Sequence, residues 1–431
     1  MLHRKMMTVE QARQLILRHS QVGPSKRVQS EASLDHVIAR DCTAPSPIPG
    51  FDRSPYDGYA VRAADTTQAS RSAPVQLQEV ETWPAGYWSD HSLQAQTCIR
   101  IMTGAPIPDG ADAVVPLEQV QHDPQLQTIQ VFRPLSPGDN VSRKGEDIAV
   151  EQTVLRAGHV IGAGEIAVLA ALGLSHVDII QPPIIGIVAT GTELIDPYAD
   201  KALRAPLPYG SLYDSNSIML QARIARWGAQ SIRFPILSDQ EPDIYEKLTH
   251  CLQQCDILVT TGGASVGDFD RIPAWLQSIK AQVLFNKVNM RPGSVTTAAL
   301  TRDRQWVFGL SGNPSACYVG FELFVRPLIQ AWLTQPTAPA TVQAVLLHDI
   351  AKSSPVHRYV RARLRYCAVR NNWVVQTSGL DKSGALSSLL NCNALLHLPP
   401  RPLHQPPLSA GSFVEVILTE PGSYVSPSAS T

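Results

Sequence analysis

At 431 residues the chain is longer than one hydrophobic core usually serves, so roughly two to four domains are expected. Its 36 lysines and arginines nearly balance 37 aspartates and glutamates, which excludes a global field drawing it to nucleic acid or membrane; any anion site must be local. No stretch approaches an uninterrupted apolar span, no apolar signal core follows Met1–Thr8, and the seven cysteines are scattered without Cys-x-x-Cys spacing, which together suggest a reduced, cytoplasmic protein.

Thr8-Val-Glu-Gln11 reads as a capping box that opens a short helix, with Val9, Ala12, Ile16 and His19 on one face and Gly23-Pro24 as its stop. Ser33–Cys42 leaves helix and strand both open. Pro45–Gly50 is a rigid linker. In Phe51–Arg62 the pair Asp57-Gly58 signals a turn, and a bare turn would account for it. From Pro74 to Val141 the alternation is that of strands, including Cys98–Met102. The loop Met102–Gly110 presents the Thr103 hydroxyl. Ser142–Ile148 gathers Arg143, Lys144, Glu146 and Asp147 around Gly145, which suits local charge pairing or an anion clamp.

A strand and then a helix, Ala163–Leu172 with Gly173 as its stop, lead to Pro182-Pro183. Beyond it strands alternate with helices. The predicted strands are Ile184–Ala189, Ser231–Ile236, Ile257–Val259 and Val283–Val288. The predicted helices are Ser215–Trp227, Asp243–Gln253 and Arg271–Ile279, followed by a hairpin-like pair (Ser294–Leu300, Trp306–Leu310) and a helix Pro314–Trp332. Such alternation implies a doubly wound, mainly parallel α/β domain. After the linker Pro336–Ala340 only strands follow. In one of them, Tyr359–Tyr366, Arg361, Arg363 and Arg365 share a face, expected to be solvated or to meet an oxyanion. The tail, Pro421–Thr431, has the composition of a disordered segment.

Candidate ligand groups fall on loops after strands of the α/β domain, where open sheets bind ligands. The stretch Asp256–Asp270 contributes a Gly-rich turn (Gly262, Gly263, Ser265) and two carboxylates, Asp268 and Asp270. With Glu193 and Asp214 these could hold Mg²⁺, leaving places for water and phosphate oxygens. Lys287 and Arg291 add cations. Gly312, Asn313 and Pro314 open the last helix, where free N–H groups favour an anion. No Walker A sequence, dinucleotide fingerprint or zinc ligand set is present.

Eight motifs then occur in order: Ser-Pro-Tyr-Asp57-Gly-Tyr-Ala, Met-Thr103-Gly-Ala-Pro, Arg143-Lys-Gly-Glu-Asp147-Ile, Ala-Thr-Gly-Thr-Glu193-Leu, Tyr-Asp214-Ser-Asn, Thr-Gly-Gly-Ala-Ser-Val-Gly-Asp-Phe-Asp270, Met-Arg291-Pro-Gly and Gly-Leu-Ser-Gly-Asn-Pro314. The set resembles the molybdopterin molybdenumtransferase family, which includes bacterial MoeA and the E domains of gephyrin and plant Cnx proteins. The resemblance implies insertion of molybdate into adenylylated molybdopterin, releasing AMP, with Mg²⁺ as cofactor. It further implies a homodimer with a shared active site, and contacts with the adenylyltransferase and with downstream cofactor-handling enzymes. By motif, Asp57, Asp147, Glu193, Lys287 and Arg291 would be catalytic. Thr103, Arg143, Gly262, Gly263, Ser265, Gly312, Asn313, Pro314, Arg361 and Ser383 would bind substrate, and Asp214, Asp268 and Asp270 would bind metal.

The implied domains are a discontinuous linker domain (27–50 and 148–181) and a β-rich insert (51–147). An α/β domain of molybdopterin-binding type (7–26 and 182–334) and an all-β C-terminal domain (335–420) complete them. Competing implications are the preceding adenylylation of molybdopterin and a gephyrin-like scaffold. The chain departs from the common pattern at Pro55-Tyr56, at Thr192 for Asp, at Arg291 for Lys, at Ser294-Val295 for Lys-Pro, at Ser311 for Pro and at Ala316 for Ser.

Overall fold

The computed structural model describes residues 6–199, 207–263, 271–402 and 406–420. They form two compact units: one comprises residues 27–34 and 38–178, and the other the N-terminal helix, residues 35–37 and everything from 179 on.

The first unit is built on a six-stranded sheet in the order Ala113–Pro116, Gly58–Val61, Thr97–Ile101, Val75–Trp83, Thr128–Val131, Val120–Asp123. All neighbours are antiparallel except the central pair 75–83 and 97–101. Alternating apolar side chains from five of these strands (Tyr59, Leu77, Cys98, Val115, Ile129) make one core face. Gly58 opens its strand because no side chain fits: a Cβ there would lie 2.3 Å from the Val115 carbonyl oxygen. The stretch left open at 33–42 forms no helix; Val37 and Ile38 make single bridges, and only Cys42 enters a strand, Cys42–Thr43, which pairs with Thr153–Leu155. Helix Ala163–Ala171 ends as expected, with Gly173 at φ +70°.

In the second unit the capping box at Thr8 is present in both directions, with the Gln11 N–H on Thr8 Oγ1 and the Thr8 N–H on Gln11 Oε1. The helix stops at His19, before Gly23, because Ser20 is already extended. The α/β sheet runs in the order Gln230–Arg233, Ile184–Ala189, Ile257–Thr261, Trp306–Leu310, Thr297–Leu300, Gln282–Phe285. Only Thr297–Leu300 runs against the rest, so the sheet is mainly parallel. Helices Ile244–Leu252 and Arg271–Ser278 cover one face through Leu248, Ile272 and Trp275 against Val188, Leu258 and Val307. Helix Asn216–Arg226 packs on strand 184–189 and on the helix that starts at Pro314.

The predicted helix 314–332 is not uniform. It is α-helical at Pro314–Gly320, π-helical at Phe321–Val325 and α-helical again at Arg326–Trp332. Pro327 explains the break: it has no N–H for the Leu323 carbonyl and its ring crowds that oxygen, so the preceding turn widens.

The C-terminal strands close into a barrel: His357–Cys367, Asn372–Thr377, Thr341–Leu346, Phe413–Leu418, Ala394–Leu398 and back to His357–Cys367. Val360, Ala362 and Leu364 fill its interior. A two-residue strand, Met290–Arg291, adds to the barrel in parallel, setting Arg291 beside Arg358. A buried charge network joins the α/β domain to the barrel's last strand. Glu322 accepts from Arg223 at 2.9 and 2.6 Å and from Arg326 at 3.1 Å, and Arg326 also donates to the Leu418 carbonyl at 2.7 Å. No helix among the described residues is long and apolar enough to cross a membrane.

Candidate active site

Three loops and a barrel strand of the second unit come to one place. Arg291 to Val295 come from the turn after strand 290–291, Ser311 and Asn313 precede the helix at Pro314, Arg358 and Arg361 stand on the barrel strand, and Asp381 to Ser383 come from the loop 378–389. Together with Lys352 and Ser354 they enclose a cleft of about 600 Å³. Arg291, Lys352, Arg358, Arg361 and Lys382 are cationic, and Asp381 is the one carboxylate of its wall among the described residues. Ser383 and Asn313 supply neutral donors. The cleft can hold a compact, multiply charged oxyanion by charge-assisted hydrogen bonds.

Arg361 corrects the expected solvated stripe. Its side chain is 1% exposed, whereas Arg363 and Arg365 are exposed, because the loop 378–389 lies over the barrel wall at Arg361. Its Nε donates to Ser388 Oγ at 3.1 Å and its Nη2 to the Leu380 and Lys382 carbonyls at 3.5 and 3.3 Å. Burial pulls this guanidinium below its ordinary pKa, and the neighbouring Asp381 acts the other way. Sequence reasoning missed Arg358, which is 7% exposed and bonded to Asp381 and to the Lys352 carbonyl. Five of the positions that depart from the common pattern, Arg291, Ser294, Val295, Ser311 and Ala316, line this cleft, whereas Pro55, Tyr56 and Thr192 do not.

Beside the α/β sheet a second cluster forms. The Gly262 turn and the Gly312 loop touch: a Cβ on Gly312 would meet Gly262 Cα at 3.5 Å, and the Asn216 amide donates to the Gly312 carbonyl at 2.7 Å. Gly262, at φ +85°, leaves no room for a side chain, since a Cβ would lie 2.4 Å from the Thr190 carbonyl oxygen. A Cβ on Gly263 would be 2.8 Å from Thr190 Oγ1 and 3.9 Å from Asp239 Oδ1. Thr190 Oγ1, Asp239 Oδ1 and Asn216 Oδ1 are buried, and Asn216 Oδ1 lacks a hydrogen-bond partner among the described residues. Burial and then the Glu193 carboxylate push the Asp239 carboxyl above the ordinary aspartate range. Asp239 was not foreseen; it sits in Ser238-Asp-Gln-Glu-Pro242, which reads as a plain loop.

Asp214, expected as a metal ligand, opens the helix Asn216–Arg226. It is 2% exposed, and its oxygens accept the Ser217 N–H at 3.0 Å and the Ser217 hydroxyl, so it caps the helix instead. Ser265, Asp268 and Asp270 lie outside the described residues. Lys287 is half-buried at the end of its strand and does not line the cleft. Among the described residues no group of three His, Cys, Asp or Glu side chains is placed to hold a metal. The pair Glu193 and Asp239 still fits a hard cation, because Mg²⁺ needs one or two carboxylates and fills its other places with water and phosphate. Burial pushes the Cys98 and Cys255 thiols up to about 12, so neither offers a thiolate.

In the first unit, segment 52–57 is laced to two neighbours. Ser54 and Asp52 exchange backbone bonds with Gly104, Ala105 and Ile107 on one side, and Arg53 exchanges two with Ser142 on the other. This sets Asp57, Thr103, Arg143 and Asp147 on adjacent exposed loops. Asp57 Oδ1 accepts both the backbone N–H and the hydroxyl of Thr103. Glu146 is held by Ser142 and the Arg143 N–H, and among the described residues no ion pair joins Arg143 or Lys144 to Glu146 or Asp147.

Comparison with known proteins now decides the family. The family models for the MoeA N-terminal region (domain I and II), a probable molybdopterin binding domain and the MoeA C-terminal region (domain IV) match residues 7–173, 186–331 and 343–419. The molybdopterin molybdenumtransferase of Bacillus subtilis (strain 168) is 41% identical over 394 residues, covering 91% of this chain and 90% of its own. The chain belongs to the molybdopterin molybdenumtransferase family. The Staphylococcus aureus (strain MRSA252) relative is 38% identical over 96% of this chain and 95% of its own. A crystal structure of a molybdopterin biosynthesis MoeA protein from Pyrococcus horikoshii matches with a TM-score of 0.82 at 27% identity, over 97% of this chain and all of that one.

Proposed function

We propose that this chain inserts molybdate into adenylylated molybdopterin, releasing AMP and yielding molybdenum cofactor. Beyond the family, the cleft around Arg361 carries this reading. A tetrahedral dianion needs fixed cations and hydroxyl donors, and Arg291, Arg358, Arg361, Lys382 and Ser383 provide them. The metal's sulfur ligands come with the substrate's dithiolene, in keeping with the lack of a protein thiolate at the cleft. Splitting a phosphoanhydride calls for charge neutralisation on the phosphates. Mg²⁺ held by Glu193 and Asp239 would supply it, and the Gly262 turn would admit the phosphates close to the backbone.

We place the reaction in the cytoplasm and assign the chain to a homodimer with a shared active site. The family's site residues fall on two separate compact units, which supports subunit sharing. The adenylyltransferase that makes the substrate and the enzymes that receive the cofactor are the expected partners. The direct test is incubation of the purified chain with adenylylated molybdopterin, Mg²⁺ and molybdate; AMP release that depends on molybdate is expected, and its absence rejects the activity. Mixing Asp57→Ala with Glu193→Ala chains tests sharing. Statistical exchange should restore roughly a quarter of wild-type activity, since half the dimers then keep one intact site.

A further inference from the structure

We propose that Asp381 is the resident counter-ion of the cleft: its carboxylate bridges Arg358 and Arg361, and an oxyanion binds by displacing it. The proposal rests on reading the cleft as an oxyanion site and adds how that site is kept ready. Arg358 and Arg361 are 7% and 1% exposed, and a buried guanidinium needs a compensating charge. Among the described residues Asp381 is the carboxylate that either of them meets.

The two contacts differ. Arg358 Nη2 donates to Asp381 Oδ2, a full hydrogen bond, whereas Arg361 Nη1 stands 3.7 Å from Oδ1, too far for one. Nε and Nη2 of Arg361 are taken by Ser388 and by two carbonyls, which fix the plane of the guanidinium whether or not Asp381 is present. Asp381 therefore supplies charge to Arg361 without being needed to aim it.

The carboxylate can also leave. Its side chain is a third exposed, the least buried of the three. The loop that carries it is tied on either side of Asp381, by Ser378 N–H on the Arg361 carbonyl at 2.9 Å and by Ser315 N–H on the Ser383 carbonyl at 3.1 Å. Rotation of the Asp381 side chain thus frees the arginines without moving the loop's anchors. Arg291, Lys352 and Lys382 line the same cleft with no ion pair among the described residues, so the site retains an excess of positive charge that favours a dianion over a single carboxylate. A carboxylate left facing that dianion would repel it, so exchange is the arrangement that satisfies both states.

The experiment uses the full chain and titrates molybdate and, separately, sulfate into wild type and Asp381→Asn by calorimetry. Removing the competitor should tighten both anions by about ten-fold or more, the opposite of what loss of a merely structural contact would do. Unchanged or weaker sulfate and molybdate binding in a variant with wild-type circular dichroism overturns the proposal. Sulfate tightening while molybdate binds neither protein supports the counter-ion and rejects the molybdate reading. Molybdate binding equally to both rejects the counter-ion and leaves the molybdate reading standing; no oxyanion binding to either removes both. A wild-type crystal soaked in molybdate gives the result without any variant. Asp381 turned away from both arginines supports the proposal, and Asp381 still bridging them beside a bound anion overturns it.

Discussion

Asp57 and Thr103 are joined twice through one oxygen: Asp57 Oδ1 accepts the Thr103 backbone N–H at 2.7 Å and its hydroxyl at 2.8 Å. These two donors, the backbone one first, hold the Asp57 carboxyl below the ordinary aspartate range. Thr103→Val removes the hydroxyl and keeps the shape. The Asp57 carboxyl should then titrate at higher pH by NMR, and AMP release should fall. Since a depressed aspartate stabilises the fold above its unfolded pKa and ceases to as pH drops through the folded one, the variant should lose stability near neutral pH and match wild type in strong acid. An unmoved Asp57 titration rejects the role given to the hydroxyl.

Glu322 has no exposed side-chain surface and takes hydrogen bonds from two arginines that also hold the Leu418 and Thr419 carbonyls at the end of strand Phe413–Leu418. Glu322→Gln keeps the volume but leaves two buried guanidiniums without their shared charge. Urea denaturation should show a loss of about 3–5 kcal/mol, the usual result of breaking a buried pair on one side. A loss under about 1 kcal/mol would mean that Glu420, which also meets Arg223, carries the network instead.

Sequence alone was informative where a pattern is local. Strands Ile184–Ala189 and Ala394–Leu398 begin and end where their apolar runs do, and the capping box at Thr8 needed only two side chains three residues apart. It was uninformative where tertiary structure decides. Arg361 alternates with apolar residues just as Arg363 does, and only the loop 378–389 folding over one of them tells the two apart. Arg358 and Asp381 lie 23 residues apart with no spacing that announces a pair. Asp239 belongs to a loop with no pattern of its own, and Asp214 stands in a recognisable motif yet uses both oxygens on Ser217. The π-turn at 321–325 has its cause in Pro327, which supplies no N–H to the helix interior, but the apolar periodicity of 314–332 runs through it unbroken.

Arg361→Lys preserves charge but not the planar fork that serves Ser388, two carbonyls and the cleft together. The molybdate concentration for half-maximal AMP release should rise about ten-fold or more, while affinity for adenylylated molybdopterin stays within about two-fold. Equal losses on both substrates would make the cleft a general electrostatic surface rather than the molybdate site.

The last prediction concerns Asp239 and Glu193. Burial first, and then the Glu193 carboxylate, raise the Asp239 carboxyl, with Thr190 and Arg271 working the other way. A raised folded pKa means that the folded chain holds this proton more tightly than the unfolded one. The stabilisation is complete below the unfolded pKa and is lost as pH climbs through the folded value. Near neutral pH wild type therefore carries an unfavourable carboxylate, and Asp239→Asn should melt at a higher temperature, the two converging in acid. A divalent cation held by Asp239 and Glu193 reverses the sign, because it favours both ionised carboxylates. Added Mg²⁺ should then raise the melting temperature of wild type at neutral pH and have much less effect on Asp239→Asn or Glu193→Gln. Thermal melts of the three proteins across pH, with and without MgCl₂, read this without any turnover. An equal Mg²⁺ shift in all three would place the ion elsewhere. An Asp239→Asn variant less stable than wild type at neutral pH would mean that the Asp239 carboxylate makes a favourable contact in the fold, so that its raised pKa does not describe its environment.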